Sequence, residues 1–173
     1  PATSILVVVA DDDICANVQD IFEDLGYRID AAHDGPTALE LVQENQYDIA
    51  LLDFKMPGMD GATLYEEIKK LRPEIVGIMI TAHTGKGGME KAKAAGTWKV
   101  LRKPVDFAAL LPLVDQITKE PVVLVVDDDP DFCDNLWQLL RDEGYRVRIA
   151  KSEEDGLAQS EESFEIAIVD LRL

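Results

Sequence analysis

Basic side chains are few in this 173-residue sequence: 17 Lys and Arg stand against 34 Asp and Glu, a formal net charge of −17. Nucleic-acid backbones are bound by clustered positive charge, so the deficit argues against a DNA or RNA surface. It runs the length of the chain, with −7 over residues 1–119 and −10 over residues 120–173, which also disfavours an anionic membrane. Cysteine is scarcer still. Cys15 and Cys133 both fall in helical apolar patterns and read as buried free thiols of a reducing compartment, not as a disulfide framework. No apolar run approaches the roughly 20 residues of a membrane span. The N-terminus lacks the basic and apolar regions of a signal peptide, so the expected location is the cytoplasm. What the chain has in quantity is apolar side chains, 47% of the total, ample for a real core.

The sequence repeats itself. Shifted by 118 residues, Ile5–Ala32 lies on Val123–Ala150 without a gap, and twelve of the 28 positions are identical, among them Asp11/Asp129, Cys15/Cys133, Gly26/Gly144 and Tyr27/Tyr145. One deletion in the following helix then places Asp53 on Asp170. The expected organisation is a complete domain over residues 1–119, followed over 120–173 by the opening part of a second copy, which ends after its third strand.

In the first copy, Ile5–Val9 is an apolar, β-branched strand. Ile14, Val18, Ile21 and Leu25 recur at helical spacing before Gly26. Tyr27–Ala31 is a second strand, and Asp34-Gly35-Pro36-Thr37 opens a helix to about Asn45. Ile49–Asp53 is a continuous apolar strand ending on a carboxylate; Asp60 starts a helix to about Leu71; Ile75–Ile80 is the fourth strand. A weak helix from about Met89 to Ala95, a strand at Lys99–Leu101 and a helix from Asp106 to Thr118 complete it. Strands alternating with helices imply an α/β fold with a parallel sheet covered on both faces. Gly85, Gly87 and Gly88 predict a short, mobile fourth helix, and Pro112 predicts that the last helix kinks or begins late. The second copy repeats strand, helix, strand, helix and strand to Asp170, where an unpaired apolar edge is expected.

A buried strand that stops at one carboxylate and gives way to Met56-Pro57-Gly58-Met59-Asp60-Gly61 delivers a single reactive group to the rim of a sheet, where ligands of open α/β folds bind. An isolated Asp there also suits a turn cap. Its company separates the two readings. Thr81 ends the fourth strand and Lys103-Pro104 ends the fifth, so an acid, a hydroxyl and an ammonium converge. An aspartyl phosphate needs a cation and a hydroxyl donor about its oxygens, and usually a divalent metal held by further carboxylates.

With these motifs the chain resembles the receiver domain of two-component response regulators, over residues 4–118 and again, in part, over 121–173. The resemblance implies a flavodoxin-like fold of strand order 2-1-3-4-5. It implies that Asp53 accepts a phosphoryl group from a histidine kinase or phosphotransfer protein, that Thr81 and Lys103 bind the phosphoryl oxygens, and that Lys103-Pro104 is a cis peptide. Mg²⁺ is the implied cofactor, with Asp53 and the Lys55 carbonyl among its ligands. In the second copy Asp170 is the implied acceptor, with Asp127, Asp128 and Asp170 as metal ligands. The function so implied is phosphorelay signalling without turnover, with altered partner binding and a possible homodimer through the last helix or the unpaired edge.

The first copy departs from the family where the acidic pair Asp127-Asp128 stands in the second. The gapless repeat puts Val9 and Ala10 there, and Asp11, Asp12 and Asp13 come two residues late. Either a two-residue slip brings Asp11 or Asp12 to the metal, or the site is weakened. The family's aromatic switch position in the fifth strand holds Val100. Two rivals follow: a degenerate receiver acting as an interaction module, and a phosphohydrolase of the haloacid dehalogenase type built on Asp11-Asp12-Asp13. His83 is placed near the site or in an exposed loop, His33 is read as a loop residue without a role, and Trp98 as a packing residue. The Glu153-Glu154-Asp155 and Glu161-Glu162 runs are read as solvated helix faces.

Overall fold

The computed structural model describes residues 2–82 and 86–172, the Lys86 side chain excepted. The chain divides into two compact units, Pro1–Thr118 and Lys119–Leu173. In the first, β1 (Ser4–Val8), α1 (Asp12–Asp24), β2 (Arg28–Ala32), α2 (Gly35–Glu44), β3 (Ile49–Asp53), α3 (Gly61–Leu71), β4 (Val76–Thr81), α4 (Lys86–Ala94), β5 (Lys99–Arg102) and α5 (Phe107–Thr118) follow one another. The five strands form one parallel sheet of order β2-β1-β3-β4-β5.

Alternation along the central strands divides the core in two, because successive side chains of a strand point to opposite faces. Ile5, Val7, Ile49, Leu51, Ile78 and Ile80 meet Cys15, Val18 and Phe22 of α1 and Leu110, Val114 and Ile117 of α5 on one face. Leu6, Val8, Ala50, Leu52 and Met79 meet Ala38 and Val42 of α2, and Leu64, Tyr65 and Ile68 of α3, on the other. Every residue of β1, β3 and β4 is buried. Two of them, β3 and β4, carry Asp53 and Thr81 at their ends, which suits those side chains to a fixed geometry, while β5 before Lys103 is more exposed.

In the second unit, β6 (Val122–Val126), α6 (Pro130–Asp142), β7 (Arg146–Ala150), α7 (Glu153–Gln159) and β8 (Ile166–Val169) form a parallel sheet of order β7-β6-β8. Its elements keep the 118-residue offset: β6, α6 and β7 begin and end where β1, α1 and β2 do, and Gly26 and Gly144 share positive φ values of 86° and 85°. Glycine alone adopts that left-handed backbone without strain, and here it ends the helix and starts the next strand. Outside β6, β8 has no strand partner among the described residues, and Ile166 and Val169 are about half exposed.

Three details differ from the sequence expectations. The buried stripe of α1 is Cys15, Val18 and Phe22, while Leu25 is exposed; α6 likewise buries Cys133 and Trp137 and exposes Phe132 and Leu139. The spacing of Ile14, Val18, Ile21 and Leu25 pointed to one stripe, whereas the sheet meets the adjacent one, which carries Phe22 in α1 and Trp137 in α6. The α4 helix starts three residues earlier than expected and runs through Gly87 and Gly88, where the Gly88 backbone lies close under Phe54; Gly85 lies outside the described residues. Finally, α5 begins directly after Asp106, whose carboxylate accepts the Ala108 N–H at 2.9 Å, and continues through Pro112. The late start does not occur.

Candidate functional site

Asp53 is the last residue of β3 and only 3% exposed. The Lys103 ammonium lies 2.8 Å from its Oδ2, and the Lys55 N–H donates to its Oδ1 at 3.3 Å. Thr81 ends β4 and is 7% exposed. Backbone bonds hold the three strand ends together: Phe54 N–H donates to the Ile80 carbonyl at 2.8 Å and Lys103 N–H to the Thr81 carbonyl at 2.9 Å. The Lys103–Pro104 peptide is cis. Asp53, Phe54, Lys55, Thr81, Ala82, Gly88 and Lys103 line one cleft of about 330 Å³. A carboxylate with a neighbouring cation, in a space that admits a small oxyanion, is an arrangement able to form and hold an acyl phosphate.

The loop after β3 is shaped by two glycines and an acid. Gly58 takes a φ of +81°, and Gly61 lies so close to the Asp53 backbone that its N–H donates to the Phe54 carbonyl at 2.9 Å. Asp60 caps α3, accepting the Thr63 N–H at 2.8 Å, and also pairs with Lys91 of α4. Burial would push its carboxyl up, but the hydrogen bonds from Lys91 and Thr63 outweigh this and hold it below the usual carboxylate range. The tie from Lys91 joins α4 to the loop beside the cleft. Sequence spacing did not reveal it, because the two residues are 31 apart.

Asp11 and Asp12, the two candidate ligands at the start of α1, have partners of their own there. Asp11 is the cap of α1, its Oδ1 accepting the Asp13 and Ile14 N–H groups at 3.0 and 3.1 Å. The Asp12 side chain is 89% exposed and lies 3.3 Å from His33. Asp129 caps α6 in the same way, accepting from Asp131 and Phe132, with backbone angles within 6° of those at Asp11. The gapless register therefore holds in space: Val9 N–H donates to Ala32 as Asp127 N–H does to Ala150. Val9 is fully buried and Ala10 offers no ligand.

Mg²⁺ takes oxygen ligands in near-octahedral order and is held by carboxylates. Among the described residues, one group of three acids converges, Asp127, Asp128 and Asp170, with ligand atoms within 4.8 Å of one another. Those residues fit the ion. The first unit, with Asp53 and a main-chain carbonyl but no acidic pair, does not.

Of the remaining candidates, Val100 packs half-buried against the α2–α3 side of the core, and Trp98 against the other, with the Lys99 ammonium 5.3 Å from its ring centre. His33 has more contact than its loop position suggested, since its Nδ1 lies 3.1 Å from the Val9 carbonyl oxygen. His83 lies outside the described residues. Glu153 and Glu154 are exposed, but Glu162 reaches Arg148 at 3.4 Å and so is more than a solvated charge. Cys15 and Cys133 are buried, free thiols, each pushed up chiefly by burial and then by a nearby aspartate, Asp12 and Asp127 respectively.

Residues 5–115 match the family described as the response regulator receiver domain. The chain is 34% identical over 170 residues to a response regulator receiver protein of Anaeromyxobacter sp. (strain Fw109-5), covering 97% of this chain and 71% of that one. It spans about a quarter of the length of the transcriptional regulatory proteins it also matches. Among solved structures, a receiver domain protein from Methanospirillum hungatei JF-1 superposes with a TM-score of 0.65 at 29% identity, over 69% of this chain and 98% of that one. The receiver domain of a sensor histidine kinase from Pseudomonas aeruginosa PAO1, with a magnesium ion coordinated in its active site cleft, gives 0.62 at 26% identity over 69% and 100%. The chain belongs to the response regulator receiver domain family. No helix among the described residues is long and apolar enough to cross a membrane.

Proposed function

We propose that the first unit is a phosphorelay receiver in which Asp53 accepts a phosphoryl group from a histidine kinase or phosphotransfer protein. The observation that carries this reading is the 2.8 Å pairing of Asp53 with Lys103 in a cleft they line together with Thr81. In the transfer, an Asp53 carboxylate oxygen forms a bond to phosphorus as the donor's phosphorus–nitrogen bond breaks, and the electron pair returns to the imidazole. The Lys103 ammonium offsets the charge gathering on the phosphoryl oxygens, and the Thr81 hydroxyl donates to one of them. No step is routed through a metal in this unit. The product signals through altered partner binding and the chain turns over no substrate.

The second unit is read as the opening part of another receiver, with Asp170 as acceptor and Asp127, Asp128 and Asp170 as the residues that would hold Mg²⁺. Matching element bounds, matching caps and the convergence of the three acids support it. The ion would supply charge stabilisation at the carboxylate. The apolar edge at Ile166 and Val169 and the α5 face are the surfaces assigned to self-association.

A second reading, a receiver kept as an interaction module without switching, is favoured by one observation, the Val9-Ala10 pair in place of two acids. Acetyl phosphate separates the two. The first reading expects an intact-mass adduct of one phosphoryl group that persists in Asp170→Asn and vanishes in the Asp53→Asn, Asp170→Asn double variant. An unmodified Asp170→Asn protein would reject it in favour of the second.

A further inference from the structure

We infer that the Asp53 site holds no divalent cation and has Lys103 as its standing counter-charge instead. Three observations converge on this. Positions 9 and 10 carry no ligand, and Val9 is fully buried against the core. The nearest acids in sequence are committed elsewhere: Asp11 closes the first turn of α1, and Asp12 points into solvent beside His33. The Asp53 carboxylate is already paired, at 2.8 Å, with an ammonium whose side chain is itself only 21% exposed. A divalent ion would have to share the carboxylate with that ammonium while gaining one carboxylate in place of three.

Slippage does not rescue the metal. Each residue turns an α-helix by about 100°, so a two-residue slip would rotate α1 by about 200°. Cys15, Val18 and Phe22 would leave the core and the two cap bonds of Asp11 would be lost. A strand tolerates a two-residue slip, because its faces repeat every second residue, but the helix that follows it does not. The unit is held in the register that keeps the acids away from Asp53.

This inference concerns ion binding and stands whether or not Asp53 is phosphorylated, so its failure is distinguishable from failure of the receiver reading. The test is calorimetric titration of the whole chain with Mg²⁺ and with Mn²⁺. Asp53→Asn is expected to leave any divalent binding unchanged, and Asp127→Asn to remove it. Ala10→Asp, at an exposed position that folding tolerates, is expected to create a new site that is lost again when Asp53→Asn is added. Wild-type protein with no binding at all also upholds the inference. A loss of about tenfold or more in affinity from Asp53→Asn alone, the size typical when a metal site loses a supporting group, would overturn it, as would two equivalents bound to wild type. Failure of Ala10→Asp to bind would show that the missing acid is not the cause.

Discussion

Replacing Gly61 by alanine strikes the backbone that carries the acceptor. A Cβ built there would stand 2.4 Å from the Asp53 carbonyl oxygen, 3.0 Å from its carbonyl carbon and 2.7 Å from the Met79 sulfur. The methionine can turn aside. The carbonyl cannot, because the next residue is tied to Ile80 and to Gly61 itself by hydrogen bonds of 2.8 and 2.9 Å. Overpacking a core costs about 1–3 kcal/mol, and contact with backbone places this case near about 3 kcal/mol. At roughly 4 °C per kcal/mol for a domain of this size, the melting temperature of the first unit should fall by about 10 °C. Scanning calorimetry of wild type and Gly61→Ala reads it. Gly87→Ala is the control: nothing lies within 4 Å of its added methyl, and an exposed helical Gly→Ala exchange should raise stability by up to about 1 kcal/mol. A Gly61→Ala protein that melts with wild type would refute the claim that α3 is seated on the Asp53 backbone.

Three further outcomes are expected. Asp60→Asn keeps a good cap but loses the charge that pairs with Lys91. Because the folded carboxyl is held below its ordinary 3.8, its contribution is present above that pH and fades as pH falls through the folded value. Denaturant titrations should therefore show the variant less stable at neutral pH, by under about 1 kcal/mol, and the gap closing in acid; a gap that widened in acid would contradict the pairing. Tyr65→Phe removes the 2.8 Å hydrogen bond to the buried Ile75 carbonyl and should cost about 1 kcal/mol in chemical denaturation. Cys15 and Cys133, buried and pushed up, should react with iodoacetamide at neutral pH far more slowly in the native chain than in urea; equal rates would disprove their burial.

The parallel sheet was legible because β1, β3 and β4 are continuous apolar runs between Ser4 at the start of β1 and the site residues Asp53 and Thr81 at the ends of β3 and β4, as strands covered on both faces are. The matching element bounds of the two units could be anticipated because their glycines and cap acids sit at the same offsets. The convergence at the cleft could be anticipated from three strand ends, since parallel strands bring their carboxyl termini to one rim. Less could be read at helix faces, where Ile14–Ile21 and Cys15–Phe22 are both plausible stripes until the sheet chooses between them. The destiny of Asp11 was ambiguous for a related reason: an acid between strand and helix serves equally as metal ligand or cap, and only backbone angles tell which. The Lys91–Asp60 tie left no signal, since long-range ion pairs between exposed side chains follow no period.

The most direct measurement of the account is chemical localisation of the phosphoryl group. Borohydride reduces an acyl phosphate to an alcohol and so marks the aspartate that carried it. After treatment of the Asp170→Asn chain with acetyl phosphate and then borohydride, peptide mapping should find the mark on Asp53, and a Lys103→Ala exchange should greatly reduce it. A mark on Asp11, Asp12 or Asp60 with Asp53 untouched would contradict the account.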